Sequence, residues 1–155
     1  MNSDLILQFV IFCGVISVIY GFISSKQILS ASAGDDKMQE IASAIQIGAK
    51  AYLNRQYTTI AIVGVIVLIL ISFLFSIWVG LGYVIGATLS GAAGYVGMLI
   101  SVQANVRTAE ASRNSLDDGL KIAFKSGAVT GMLVAGLALL SISVYYFLLL
   151  KLNID

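Results

Sequence analysis

The sequence has no histidine, no proline and a single cysteine, and only 11% of its residues are charged. Without histidine, the chain lacks the commonest side chain for acid/base chemistry at neutral pH and for transition-metal binding. One cysteine allows neither an internal disulfide framework nor a cysteine metal motif. Cys13 lies inside an apolar run, and we interpret it as a small residue that faces a helix or lipid. The absence of proline predicts helices without proline kinks.

Charge is missing altogether from residues 56–106. A straight helix over this run would be roughly 77 Å long, more than twice the hydrocarbon thickness of about 30 Å. The run must therefore turn once. We place the turn at residues 78–83, where Gly80 and Gly82 loosen the helix and Trp78 and Tyr83 suit the headgroup interface. This predicts membrane spans at about 58–77 and 83–102.

Two further uncharged runs predict spans at about 5–23 and 126–150. With 59% hydrophobic residues and a mean hydropathy of +0.96, the chain has the composition of an all-α, multi-pass membrane protein with four transmembrane helices. Residues 31–33 resemble a signal-peptide cleavage site. We expect no cleavage there, because Asp4 replaces the usual basic n-region and the apolar run is too long.

The positive charges are distributed unevenly between the connecting segments. All but one of the nine Lys and Arg residues fall in the segments 24–57 and 103–125: Lys26, Lys37, Lys50, Arg55, Arg107, Arg113, Lys121 and Lys125. Only Lys151 lies elsewhere. The positive-inside rule therefore predicts that both segments are cytoplasmic loops and that both chain termini lie outside.

The first of these segments contains more than a linker. Asp36 followed by Gln39 resembles a capping box, and apolar residues then recur at helical spacing at Met38, Ile41 and Ile45. This pattern predicts an amphipathic cytoplasmic helix that leads into the second span. It can lie along the membrane surface or dock on protein; we favour docking, because its polar face carries both signs of charge.

Small residues form two helical faces within the spans. The third span has a small residue at every fourth position over Gly82, Gly86, Ser90 and Gly94, and the fourth span has Gly127, Gly131 and Ala135. We interpret both faces as surfaces for close helix packing. A glycine face that lines a transport path is the alternative, but no polar group in that span supports it.

Two acidic pairs invite a metal-binding interpretation, since carboxylates hold Mg²⁺. For Asp35–Asp36 and Asp117–Asp118 we favour helix starts instead. Ser115 and Asp118 have capping-box spacing, and Asp117 precedes Lys121 by four residues.

Cationic side chains also invite a functional interpretation, because arginine can bind phosphate. We interpret the arginines Arg55, Arg107 and Arg113 first as orientation and snorkelling residues at the membrane edge.

Inside the four spans there is no ionisable Asp, Glu, Lys or Arg. Such groups are costly in a membrane, by about 2.5–3.5 kcal/mol on insertion scales, and persist chiefly for function. We therefore assign no catalytic, cofactor-binding or metal-ligating residue, and expect these helices to be a scaffold for chemistry carried elsewhere.

Five short segments are distinctive. They are, in order, residues 38–42 (MQEIA), 48–57 (GAKAYLNRQY), 94–98 (GYVGM), 104–108 (ANVRT) and 123–132 (AFKSGAVTGM). Together they resemble segments of membrane-bound inorganic pyrophosphatases, the ion pumps driven by pyrophosphate. The resemblance extends over about residues 17–137. It implies the first four helices of a sixteen-helix bundle with two concentric rings.

The resemblance also implies a homodimeric, Mg²⁺-dependent inorganic diphosphatase of the cell (inner) membrane that couples pyrophosphate hydrolysis in the cytoplasm to outward transport of H⁺ or Na⁺. Family members are several times longer, and their metal and phosphate ligands lie on later helices. We therefore expect this chain to be the N-terminal, outer-ring part of such a pump, inactive alone, as a short gene product or a truncated sequence. The remaining helices and the lipid bilayer are its expected partners, and nucleic acid is not.

Two alternatives belong to other functional classes. A rotor-ring proteolipid of a rotary ATPase has a similar size and glycine content, but it needs an ion-carrying carboxylate inside a helix, which these spans lack. A non-catalytic four-helix adaptor is the second alternative. Coding sequence beyond Asp155 for further helices and an Asp-rich motif would favour the pump over the adaptor.

Overall fold

The computed structural model describes the backbone of residues 3–153 and the side chains of residues 5–153. The chain termini, which we expect on the outer side of the membrane, opposite the cytoplasm, lie beyond these described residues. Four long helices account for almost all of the described chain: α1 (Ser3–Leu29), α2 (Asp36–Leu74), α3 (Ile77–Ser112) and α4 (Leu116–Leu152). All four are long and apolar enough to cross a membrane. The all-helical, four-span prediction is confirmed.

The helices form a layer in the order α1, α4, α3, α2. Helix α4 packs along both α1 and α3, α1 also touches α3, and within the described residues α2 packs on α3 alone. The core lies where α1, α3 and α4 meet; its buried residues are Ile28, Ala93, Ile100, Ala104, Val129 and Leu133. Helix α2 is therefore an edge element with a large exposed surface.

The turn between α2 and α3 lies at Phe75 and Ser76, so our prediction of a turn at 78–83 is wrong. Ser76 is the N-cap of α3, and its hydroxyl accepts a hydrogen bond from the amide of Val79 at 3.3 Å. Gly80 and Gly82 lie inside α3 and serve packing. A Cβ at Gly80 would collide with Ser72 of α2, and one at Gly82 would lie 2.8 Å from the Tyr145 ring of α4.

The segments that we expected to be loops, 24–57 and 103–125, are mostly helical. Only residues 30–35 and 113–115 interrupt the helices there. The amphipathic helix is the first half of α2, which runs unbroken from Asp36 to Leu74 over about 58 Å. Because it is continuous with the span and packs on α3, it does not lie along the membrane surface. The N-cap of α2 is Asp35, one residue before the predicted Asp36, and it accepts a hydrogen bond from the amide of Met38.

Glycines let the helices approach closely at particular points. At Gly136 of α4 a Cβ would meet the carbonyl oxygen of Gly14 at 2.9 Å, and at Gly97 of α3 it would meet Thr130 at 2.9 Å. The predicted face on α3 is used at Gly82 and at Gly94, which contacts Tyr57, but Gly86 has no such neighbour within 4 Å in the described chain. The packing interpretation therefore holds for part of that face only.

Candidate functional site

Cationic and polar side chains gather at the end of the bundle where α1 and α3 finish and α2 and α4 begin. Arg113, the residue after α3, forms ion pairs with Asp35 at 3.1 Å and with Glu110 at 3.2 Å. The hydrogen bond from the Met38 amide and the nearby Arg113 hold the pKa of Asp35 below its usual value of 3.8. Arg113 thereby ties the α1–α2 connection to the α3–α4 connection.

A second arginine closes the end of α1. Arg107 donates from one terminal nitrogen to the carbonyl oxygen of Gln103 at 2.7 Å, and from the other to the carbonyl oxygen of Leu29 at 3.1 Å. Leu29 is the last residue of α1, whose final carbonyls have no partner within the helix. The Arg107 guanidinium also complements the negative end of the helix dipole. It acts as a cap that joins α3 to α1.

These contacts bear on the phosphate-binding interpretation of the arginines. The guanidinium groups of Arg107 and Arg113 already bond to groups of this chain, whereas Arg55 is exposed on α2. Lys125, at the start of the fourth span, donates to the side chain of Gln27 on α1. Three cationic side chains at this end, Arg107, Arg113 and Lys125, therefore hold helices together.

The acidic pairs behave as the helix-start interpretation predicts. The Ser115 hydroxyl accepts a hydrogen bond from the Asp118 amide at 3.1 Å and donates to the Asp118 carboxylate at 2.8 Å. Asp117 forms an ion pair with Lys121 at 2.6 Å, which raises the pKa of that lysine. At the other pair, Asp35 caps α2 while Asp36 lies in its first turn.

The donor groups of the described chain fit a Mg²⁺ ion poorly. Among these residues no group of three or more Asp, Glu, His or Cys side chains comes together. Asp35 is occupied as the cap of α2, the Asp118 carboxylate accepts a hydrogen bond from the Ser115 hydroxyl, and Asp117 is paired with a lysine.

Between the membrane-embedded parts of α2 and α3 lies an open groove of about 1000 Å³. Tyr57 holds one end, since its hydroxyl donates to the carbonyl oxygen of Gly91 at 2.9 Å and its ring stacks edge-on against Tyr95 at 5.3 Å. The Tyr95 hydroxyl in turn donates to Asn54. Among the described residues, the side chains that line the groove are apolar or carry hydroxyl groups, and none is a carboxylate or a cation.

Sequence reasoning missed the cross-helix role of Tyr57, Arg107 and Arg113. Each pairs with a residue that is distant in the chain, so local spacing carries no signal for it. The only sequence indication was their position at the edges of predicted spans, where Tyr and Arg are common for other reasons. The predicted pairings within α4 were found because capping and i, i+4 contacts are local.

A family model described as inorganic H⁺ pyrophosphatase matches residues 15–154 of this chain. The relatives that the chain resembles have names of the same kind. A K⁺-insensitive pyrophosphate-energized proton pump of Methanosarcina mazei is 50% identical over 137 residues, which cover 87% of this chain and 20% of the relative.

Sodium pumps are also among the relatives. A putative K⁺-stimulated pyrophosphate-energized sodium pump of Bacteroides thetaiotaomicron is 40% identical over 141 residues, or 87% of this chain and 19% of the relative. A K⁺-insensitive pyrophosphate-energized proton pump 2 from Moorella thermoacetica is 38% identical over 135 residues, which cover 86% of this chain and 20% of the relative. The chain thus spans about one fifth of the length of the curated relatives that it matches.

Proposed function

The chain belongs to the inorganic H⁺ pyrophosphatase family, and from this membership we propose that it is the N-terminal, outer-ring part of an ion-translocating inorganic pyrophosphatase. In the complete pump, pyrophosphate hydrolysis in the cytoplasm drives H⁺ or Na⁺ outward. Both proton and sodium pumps among the relatives support this pair of ions. The four apolar helices support an integral, multi-pass membrane protein.

We propose further that these four helices have no hydrolytic activity alone. The observation that carries this proposal is the chemistry of the charged side chains. Within the described residues, Asp35 caps α2, Glu110 and Asp117 pair with cations and Asp118 bonds to Ser115, while the predicted spans contain no Asp, Glu, Lys or Arg. Mg²⁺, pyrophosphate and the transported ion would then be bound by the rest of the pump.

The proposed topology follows from the charge distribution. The ends of the helices that carry Lys26, Lys50, Arg107 and Lys125 face the cytoplasm, and the turn at Phe75 and Ser76 faces outward. The cell membrane is the proposed location. A homodimer is the proposed assembly of the complete pump, as the family resemblance implies.

The test joins this chain to the remaining part of a relative. Residues 1–155 are fused to the portion of the Methanosarcina mazei relative that follows its matched residues, and Mg²⁺-dependent pyrophosphate hydrolysis is measured in membranes. We expect activity from the fusion and none from residues 1–155 alone. Clear pyrophosphate hydrolysis by residues 1–155 alone would contradict the proposal that these four helices are inactive. A well-expressed, inserted but inactive fusion would favour the non-catalytic adaptor.

A further inference from the structure

One face of α4 is apolar and exposed along most of the helix. Its residues are Leu116, Leu120, Phe124, Gly127, Gly131, Val134, Ala138 and Ile142, here called the α4 stripe. Their spacing of three or four residues keeps them on one side of the helix. The residues that α4 buries against α1 and α3, such as Ser126, Val129 and Leu133, lie on the opposite side. The stripe therefore has no partner within the described chain.

The first part of the stripe projects beyond the membrane. Lys125 bonds to Gln27 on α1, beside Lys26, so lysines of two helices mark the same level. From there residues 126–150 extend about 37 Å, which already exceeds the hydrocarbon thickness of about 30 Å. The preceding turns of α4 carry Asp117, Asp118 and Lys121, as a segment in water would.

Large apolar side chains in this aqueous part are unusually exposed. Leu116 is 76% exposed, Leu120 58% and Phe124 80%. Lipid tails cannot cover them at this height, and α4 stands along α1 and α3 rather than flat on the membrane. Exposed apolar patches of this kind mark protein interfaces. The cover must therefore be protein.

In the membrane-spanning part of α4, the stripe contains Gly127 and Gly131. At Gly127 and Gly131 the described chain places no atom within 4 Å of where a Cβ would stand, outside the helix's own nearby backbone. Gly14, Gly21, Gly97 and Gly136, in contrast, all contact a neighbouring helix. Small residues let another helix come close in a membrane, where packing drives association.

We propose that the α4 stripe is the seam on which a helix from the rest of the pump docks. That helix crosses the membrane against Gly127 and Gly131 and continues past it by about three turns to cover Phe124, Leu120 and Leu116. The inference rests on the proposed function, because the relatives have about four fifths of their length beyond the matched region. Helix α4 lies between α1 and α3 in the layer, so two of its sides are occupied and the α4 stripe is the side that stays free in the described chain.

Thiol accessibility tests the seam. Phe124→Cys is introduced in a Cys13→Ala background, both in residues 1–155 alone and in the fusion pump. Open membrane fragments of each are treated with a water-soluble maleimide, and the rate of thiol labelling is measured. Lys121→Cys is the matched control, because the Lys121 side chain is 67% exposed at nearly the same height and lies about 100° around the helix from Leu120, at the margin of the stripe. We expect labelling of Phe124→Cys to slow roughly tenfold in the fusion and that of Lys121→Cys to change less than about twofold. Leu120→Cys provides a second probe of the stripe.

Each other result identifies which idea fails. An active fusion in which Phe124→Cys and Leu120→Cys still react rapidly overturns the seam and leaves the proposed function standing. An inserted but inactive fusion overturns the proposed function, and the seam with it. Slow labelling already in residues 1–155 alone, together with Phe124→Cys disulfide dimers, would show that a second copy of this chain covers the stripe instead.

Discussion

Two glycines on α4 differ in the space around them. Gly136 faces α1, where an added methyl group would meet Ser17 Cβ at 2.8 Å and the backbone oxygen of Gly14 at 2.9 Å. Backbone cannot move aside as a flexible side chain can. Gly131, one turn earlier, faces open space in the described chain.

Gly136→Ala is therefore expected to destabilise residues 1–155 by about 1–3 kcal/mol through overpacking of α1 against α4. Gly131→Ala, the matched control, is expected to be neutral or to stabilise by up to about 1 kcal/mol through helix propensity. Equilibrium unfolding in mixed micelles of increasing SDS, followed by Trp78 fluorescence, measures both. Equal effects of the two substitutions would mean that α1 and α4 are less closely packed than the structure shows.

The Asp35 carboxylate, which accepts a hydrogen bond from the Met38 amide and pairs with Arg113, gives the connection between α1 and α2 a pH dependence. The pKa of Asp35 is lowered in the folded chain, so the carboxylate stabilises the fold above its unfolded pKa and this contribution is lost as the pH falls through the folded value. A spin label at Ser32→Cys in the Cys13→Ala background is expected to become more mobile below about pH 3.8. With Asp35→Asn, label mobility is expected to vary little with pH. The same acid transition in that variant would assign it to other groups.

At the level of helices, the sequence predicted their number and type, because long uncharged runs in a membrane leave the backbone few alternatives to helix. The turn was misplaced for a physical reason. Gly80 and Gly82 resemble a flexible connection, whereas close approach to Ser72 and Tyr145 requires them. Ser76 was the better signal, since a hydroxyl that can cap a helix start is a local device.

Ser76→Ala is accordingly expected to cost about 1 kcal/mol of stability, because the Val79 amide loses its acceptor at the start of α3. Ser90→Ala in the middle of the same helix is the control, since Ser90 is exposed and caps no helix. The same SDS unfolding measurement applies to both. A loss for Ser90→Ala as large as for Ser76→Ala would argue against the Ser76 cap.

At the scale of the whole molecule, the order α1, α4, α3, α2 could not be predicted from the sequence. It depends on contacts such as Gly14 with Gly136 and Tyr57 with Gly91, which join residues far apart in the chain. The polar end shows the same division: capping by Ser115 was predictable, but the bonds from Arg107 to Leu29 and from Arg113 to Asp35 were not. What the sequence does carry is the asymmetry of charge between the two ends of this layer.

That asymmetry makes the membrane orientation testable with the turns of the structure. Phe75 is 74% exposed at the α2–α3 turn, and Ser32 lies exposed in the connection between α1 and α2 at the opposite end. In intact cells with the Cys13→Ala background, a membrane-impermeant maleimide is expected to label Phe75→Cys but not Ser32→Cys, which becomes reactive only after permeabilisation. The physical reason is that Lys and Arg near the span ends are retained on the cytoplasmic side. Labelling of Ser32→Cys in intact cells, with Phe75→Cys protected, would mean that the chain is inserted the other way, and the polar end with Arg107 and Arg113 would then face outward, away from cytoplasmic pyrophosphate.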